Sequence, residues 1–218
     1  KNIIGLNGSG RAPMNLSSDA LLSRNMEEIP LNSPHSVTVP GAVSLFEEIA
    51  DKFGNLGLKE LCTQPIKYAE EGVVVSPRVS FDWDTHKKKL IGSSEKFYLN
   101  SGKPYRAGSL FKAPMQAEVF RQIAAQGSKG FYQSDITIDL VNSLKELGGV
   151  HTLADFENVN VQYVDPIYAN LNDGSTLIEL PPNGQGITAI MMKKLMEFCD
   201  IEQFKADSFE RVHIEAEI

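Results

Sequence analysis

Apolar runs long enough to span a bilayer are missing from this 218-residue sequence: none approaches the ~18 residues that a membrane helix needs, so no membrane partner is expected. Positive charge is also scarce. Lys and Arg number 21 against 28 Asp and Glu, a formal net charge of −7, whereas an extended phosphate backbone is bound by clustered cations that displace counterions. Nucleic acid is therefore not an expected partner. The densest basic run, Lys87-Lys88-Lys89, sits in a polar helical stretch and reads as a solvated face.

Cysteine is limited to Cys62 and Cys199. Each lies on an apolar helical stretch, which favours buried, reduced thiols over a disulfide framework. The four histidines, His35, His86, His151 and His213, are widely separated and have no partner at a usual ligand spacing, so neither a metal site nor a cofactor is expected. No Gly-x-Ser-x-Gly elbow is present, and neither Cys lies in a nucleophile motif. Glu47-Glu48 and Glu70-Glu71 are sequence neighbours, which point apart on a helix and make no acid/base dyad. His213, inside the polar stretch 211–217, reads first as a structural histidine, with general-base work as the alternative.

What remains is an ordinary globular composition, 42% hydrophobic and 22% charged, in a chain long enough to bury a core. With no internal repeat or low-complexity linker, residues 1–218 read as one domain segment. Asn2 to Leu6 forms an expected buried strand, followed by the glycine-rich turn Asn7-Gly8-Ser9-Gly10-Arg11-Ala12-Pro13. Ser17, Ser18 and Asp19 can cap a helix through Leu22 and Met26. Pro40 can enter the first turn of a helix bearing Val43, Phe46, Ile49 and Ala50, with Gly54 and Gly57 ending it at positive φ.

Another helix should run through Leu58, Leu61, Ile66 and Ala69, kinked or broken by Pro65. Ser76-Pro77 opens a stretch with Val79, Trp83 and Leu90 as its expected buried residues, and residues 92–108 read as irregular. Helical spacing returns from Pro114 through Ile123 and from Phe131 through Leu144, ending at Gly148-Gly149. Alternating stretches at 159–171 and 175–180, separated by Asn172-Asp173-Gly174, signal a hairpin. The turn Pro181-Pro182-Asn183-Gly184-Gln185-Gly186 then leads into an apolar helix, 187–198.

The first glycine cluster has the outline of a phosphate loop, but Arg11 and Ala12 stand where Lys and Ser or Thr would hold phosphate and magnesium. Nucleotide binding is not expected. Taken on its residues alone, the cluster is a structural turn or a ligand-contacting loop.

Four separated motifs converge on one family. Gly8-Ser9-Gly10-Arg11-Ala12-Pro13, Ser36-Val37-Thr38-Val39-Pro40-Gly41-Ala42-Val43, Gly130-Phe131-Tyr132-Gln133 with Gly148-Gly149 and Ala154-Asp155-Phe156, and Pro181 to Gly186 resemble the large subunit of gamma-glutamyltranspeptidases in order and spacing. The stretches Pro65 to Gly72 and Arg211 to Glu217 extend the likeness over nearly the whole chain.

The resemblance implies an α+β fold, specifically the helix-rich portion of an N-terminal-nucleophile hydrolase αββα sandwich, truncated at both ends. It further implies a precursor that cuts itself and frees a Thr, whose own α-amino group is the general base for its hydroxyl. That Thr and the oxyanion donors are expected downstream, so no catalytic residue is assigned here and the isolated chain is expected to be inert. The small subunit of the same precursor is the expected partner.

In family members that use glutathione, an Arg three residues before the Ala-Pro of the first motif clamps the α-carboxylate; Ser9 stands there in this chain. Arg11, two residues on, is the one substrate-binding residue expected, because a guanidinium grips a carboxylate in bidentate fashion. The Asn183-Gly184-Gln185-Gly186 turn resembles the oxamate amidohydrolase and acylase-like branch. The expected activity is hydrolysis of, or acyl transfer from, a small amide carrying a carboxylate. Breakdown of glutathione or another gamma-glutamyl substrate is the alternative, and a non-catalytic helix-rich scaffold or binding module is the reading from another class. A cytoplasmic location is expected, with a periplasmic or extracellular one left open because the sequence does not begin with Met.

Overall fold

The computed structural model describes residues 3–218, which divide into two compact units: the segment ending at Ser9 together with Val161–Ile218, and Gly10–Asn160. Strand β1 (Gly5–Asn7) opens the first of these. Asn2, the expected start of that strand, lies outside the described residues. Ile3 and Ile4 are exposed and not in a strand.

The larger unit is helical. Its first helix, α1 (Ser18–Leu22), starts as expected at Ser17, whose hydroxyl accepts the Ala20 N–H, but stops before Met26. A 3-10 turn at Pro34–Ser36 and the irregular segment 37–41 lead to α2 (Ala42–Phe53), capped by Gly41, so Pro40 precedes the helix rather than entering it. Gly54 ends α2 at φ −82°, not at the positive φ expected. It is needed there for space, since a Cβ would lie 2.5 Å from the Ala50 carbonyl oxygen. Gly57 likewise has a negative φ.

Pro65 acts upstream of itself: α3 (Leu58–Leu61) and α4 (Thr63–Glu71) are separate, and the break falls at Cys62. A proline ring strikes the carbonyl four residues back, here that of Leu61. After β2 (Val73–Val74), Ser76 caps α5 (Pro77–His86). Residues 92–108, expected to be irregular, contain a short helix, α6 (Ser93–Tyr98). Strand β3 (Leu110–Phe111) pairs antiparallel with β2. Trp83 packs against Tyr105 and Phe111, with ring centroids 5.2 and 5.1 Å away. Val79, expected to be buried, is 47% exposed.

Next comes α7 (Pro114–Gln126). The single helix expected from Phe131 to Leu144 is two, α8 (Lys129–Tyr132) and α9 (Asp135–Glu146). Ser134 caps the second, while the Thr137 hydroxyl, fully buried, donates to the Phe131 carbonyl at 2.6 Å and holds the corner. Gly148, at φ +90°, turns the chain toward α10 (Leu153–Glu157). Val39, Cys62, Ile123, Phe131, Tyr132, Val141 and Phe156 form the core of this unit. Each large apolar side chain removed from water contributes about 1.5–3 kcal/mol.

In the other unit, the expected 159–171 strand is broken. Its first part, β4 (Gln162–Val164), pairs antiparallel with β1, placing Gly5 opposite Val164 and Asn7 opposite Gln162. Its second part, β5 (Ile167–Asn170), pairs with β6 (Thr176–Glu179) across the expected Asn172-Asp173-Gly174 turn, where Gly174 has φ +83°. Helix α11 (Gly186–Phe198) lies against this hairpin. Lys194 donates to the Asn170 carbonyl, and Glu197 accepts the Asn172 N–H. Ile187, Met191, Leu195 and Phe198 of α11 remain exposed, as does Cys199, which therefore departs from the buried thiol expected; Cys62 is buried and free. Helix α12 (Phe209–Glu217) ends the chain. Among the described residues, no helix is long and apolar enough to cross a membrane.

Candidate functional site

Arg11 sits on a loop that is fastened by its backbone. Its carbonyl accepts the Val39 N–H at 3.0 Å, and beside it Gly10 lies so close to Val39 that an added Cβ would fall 1.3 Å from the Val39 carbonyl oxygen. No side chain fits there. Glycine at position 10 is thus a matter of close approach between two stretches of main chain. The Arg11 side chain is exposed, and among the described residues its guanidinium has no ion pair or hydrogen bond. It is free to meet an anion.

The segment that receives this loop, residues 37–41, is braced from several sides. His151, fully buried, places Nε2 2.8 Å from the Val37 carbonyl oxygen. Tyr132 donates its hydroxyl to the Pro40 carbonyl at 2.8 Å and accepts the Ser44 N–H at 3.3 Å. Burial pushes the Tyr132 phenol up, outweighing the backbone hydrogen bonds from Ser44 and Val43, so the proton needed for the Pro40 bond stays in place. Val39 itself is 3% exposed and belongs to the apolar core.

The far side of the loop is held by Asp155. One carboxylate oxygen accepts the Met14 N–H at 2.9 Å; the other accepts the Thr152 N–H and hydroxyl, both at 2.7 Å. Thr152 and Asp155 together form the capping box of α10. Burial pushes the Asp155 carboxyl up, but the bonds from Met14 and Thr152 outweigh it and hold the group below its usual range. Three of the motifs that carry the family resemblance thus share one physical task within this unit: they hold the backbone on either side of Arg11.

The other unit contains the second glycine turn. Asn7, 9% exposed, accepts the Ser9 N–H at 2.9 Å and donates from Nδ2 to Asn183 Oδ1 at 3.2 Å. The end of β1 and the Pro181 to Gly186 turn are thereby joined through side-chain amides. Gly184 adopts φ +71°, and a Cβ on Gly186 would meet that of Glu179 at 2.8 Å, so this turn also packs on β6 through a glycine.

The remaining candidates separate cleanly. His213 is exposed on α12 with its ring parallel to that of Phe209. Lys87 pairs with Asp84 at 2.8 Å on the solvent side of the chain, as expected of a solvated run. No cluster of His, Cys, Asp or Glu suited to a metal occurs among the described residues. The supports of the 37–41 segment were missed in the sequence. Thr152-x-x-Asp155 has the spacing of a capping box and could have been found; His151 carries no local signal, because its partner is 114 residues away.

Comparison with known proteins places these features in one class. The chain belongs to the gamma-glutamyltranspeptidase family, whose model matches residues 1–218. Among curated proteins, it is 27% identical over 212 residues to the glutathione hydrolase proenzyme of Bacillus subtilis, covering 95% of this chain and 36% of that protein. Among solved structures, it matches the gamma-glutamyltranspeptidase of Helicobacter pylori with a TM-score of 0.88 and 27% identity, over 98% of this chain and 63% of that one. A cephalosporin acylase from Bacillus halodurans matches with a TM-score of 0.86 and 29% identity, over 98% of this chain and 41% of that one. The helix-rich α+β fold is that of the family, and the chain spans about a third of the length of the curated relative.

Proposed function

We propose that this chain forms the carboxylate-binding portion of a self-processing amide hydrolase or acyltransferase. The observation that carries this reading is the exposed guanidinium of Arg11, without a partner among the described residues, on a loop whose backbone is fixed by Val39. Ser9, where glutathione-using relatives carry the clamping Arg, is exposed two residues away, and among the described residues only its N–H is engaged, with Asn7. A planar fork two residues along can grip a smaller or differently placed acid in bidentate fashion. Small amides with a carboxylate are therefore favoured over glutathione.

Family membership supports the following chemistry. A Thr freed by self-cleavage of the precursor, outside this chain, loses its hydroxyl proton to its own α-amino group and attacks the amide carbonyl. The oxyanion is stabilised by fixed donors, the amine leaves with a proton, and water or a second amine takes the acyl group from the Thr. The small subunit produced by that cut is the partner of this chain. The isolated chain has no nucleophile assigned to it and turns over no amide.

Expression of the full-length protein tests this. Denaturing electrophoresis should show two bands, and the mature enzyme should hydrolyse oxamate with a higher kcat/KM than glutathione or gamma-glutamyl-p-nitroanilide. A single uncut band that still hydrolyses amides would remove the mechanism. Two bands with glutathione as the better substrate would keep the mechanism and overturn the substrate class.

A further inference from the structure

We infer that His151 is a positioning residue for substrate binding, acting through the segment 37–39 on Arg11. This rests on Arg11 being the carboxylate anchor. His151 is completely buried, and a carbonyl oxygen can only accept, so its Nε2 carries the proton donated to Val37 at 2.8 Å. Its Nδ1 is left buried with no hydrogen-bond partner among the described residues. A buried polar atom without a partner costs stability, and an apolar side chain of similar shape would avoid that cost. The gain that offsets it is the fixed position of the Val37 carbonyl.

Two residues further on, Val39 meets the substrate loop twice: its N–H is held by the Arg11 carbonyl, and its own carbonyl lies against Gly10. Segment 37–39 is therefore a short lever with His151 at one end and the Arg11 backbone at the other. Tyr132 holds the following residue, Pro40, through its carbonyl. When the His151 bond is lost, the segment gains freedom and the loop bearing Arg11 follows, because the Gly10 contact leaves no slack. The chemistry at the Thr is untouched. The consequence is a weaker grip on the carboxylate with an intact catalytic step.

The test uses the mature full-length enzyme with gamma-glutamyl-p-nitroanilide as the probe. His151→Leu is expected to raise KM by about threefold to tenfold, the scale of one net hydrogen bond, with kcat within about twofold, since uniform binding is what is lost. His151→Gln, whose amide nitrogen reaches the place of Nε2, is expected to restore KM. Arg11→Ala raises KM further, and adding His151→Leu to it has no additional effect, because both act through one contact.

If Arg11→Ala raises KM while His151→Leu leaves KM unchanged and only lowers Tm, His151 is merely structural and the inference is overturned. If Arg11→Ala itself leaves KM unchanged, it is the anchor reading that fails. Should His151→Leu not fold, Tyr132→Phe loosens the same segment at Pro40 and must raise KM without changing kcat; an unchanged KM there overturns the inference as well.

Discussion

The side-chain amides of Asn7 and Asn183 meet across 176 residues of chain, with Asn7 Nδ2 donating to Asn183 Oδ1 at 3.2 Å while Asn7 Oδ1 accepts the Ser9 N–H. This pair fixes the end of β1 to the turn that precedes α11. Each amide uses both a donor and an acceptor, since Asn183 Nδ2 in turn donates to Asn7 Oδ1 at 3.5 Å.

Asn183→Ala is accordingly expected to destabilise the full-length protein by about 1–2 kcal/mol, since it takes away the acceptor of the largely buried Asn7 Nδ2 while the Ser9 bond to Asn7 Oδ1 remains. Asn7→Ala should cost slightly more, as it also releases the Ser9 N–H. A double-mutant cycle by denaturant unfolding checks the relationship: a coupling of about 0.5–1.5 kcal/mol is expected for a direct bond. Additive effects would show that the two amides do not interact.

Gly10→Ala is expected to be more damaging than Gly184→Ala. The first puts a methyl 1.3 Å from the Val39 carbonyl oxygen, which cannot yield without moving segment 37–41. Its cost lies at or above the top of the about 1–3 kcal/mol range for overpacking. The second meets open space and suffers only from its positive φ, worth about 1–2 kcal/mol. Melting temperatures of the two variants decide it, and equal losses would contradict the close approach at Gly10.

Asp155 gives a pH dependence with a definite sign. Its carboxyl is held below the usual range in the folded state by the bonds from Met14 and Thr152, against the effect of burial. A depressed folded value means that the stabilisation is fully present above the unfolded pKa of about 3.9. It is lost as pH falls through the lower folded value. Asp155→Asn should therefore cost about 1 kcal/mol near neutral pH, the scale of a lost helix cap. The difference from the parent should shrink below about pH 4. A difference that stays constant into acid would show that the charge of Asp155 contributes nothing.

Much of the fold was legible because periodicity survives without knowledge of partners. Helices α7 and α11 and the β5–β6 hairpin follow directly from apolar spacing and from Asn172-Asp173-Gly174. The failures occur where a partner decides. The 159–171 stretch looks continuous, yet Asp165-Pro166 divides it, because proline offers no N–H to extend a ladder, and the halves then pair with β1 and β6 respectively. The 131–144 stretch has unbroken apolar spacing, but Ser134 competes for backbone N–H groups and restarts the helix.

The candidate site divides in the same way. Arg11 was visible as an unusual residue after a glycine turn. The reason for Gly10 was not, because its contact, Val39, lies 29 residues further along the chain and acts through its main chain rather than its side chain.

The central claim, that Arg11 anchors a substrate carboxylate, is tested most directly by KM and Tm measured together on Arg11→Ala in the mature full-length enzyme. A desolvated charge pair loses about 2–5 kcal/mol when one partner is truncated, so a large rise in KM with little change in Tm is expected. Arg11→Lys should recover only part of the loss, since a point charge cannot reproduce the bidentate fork. An unchanged KM with a lowered Tm would contradict the claim and reduce Arg11 to a part of its turn.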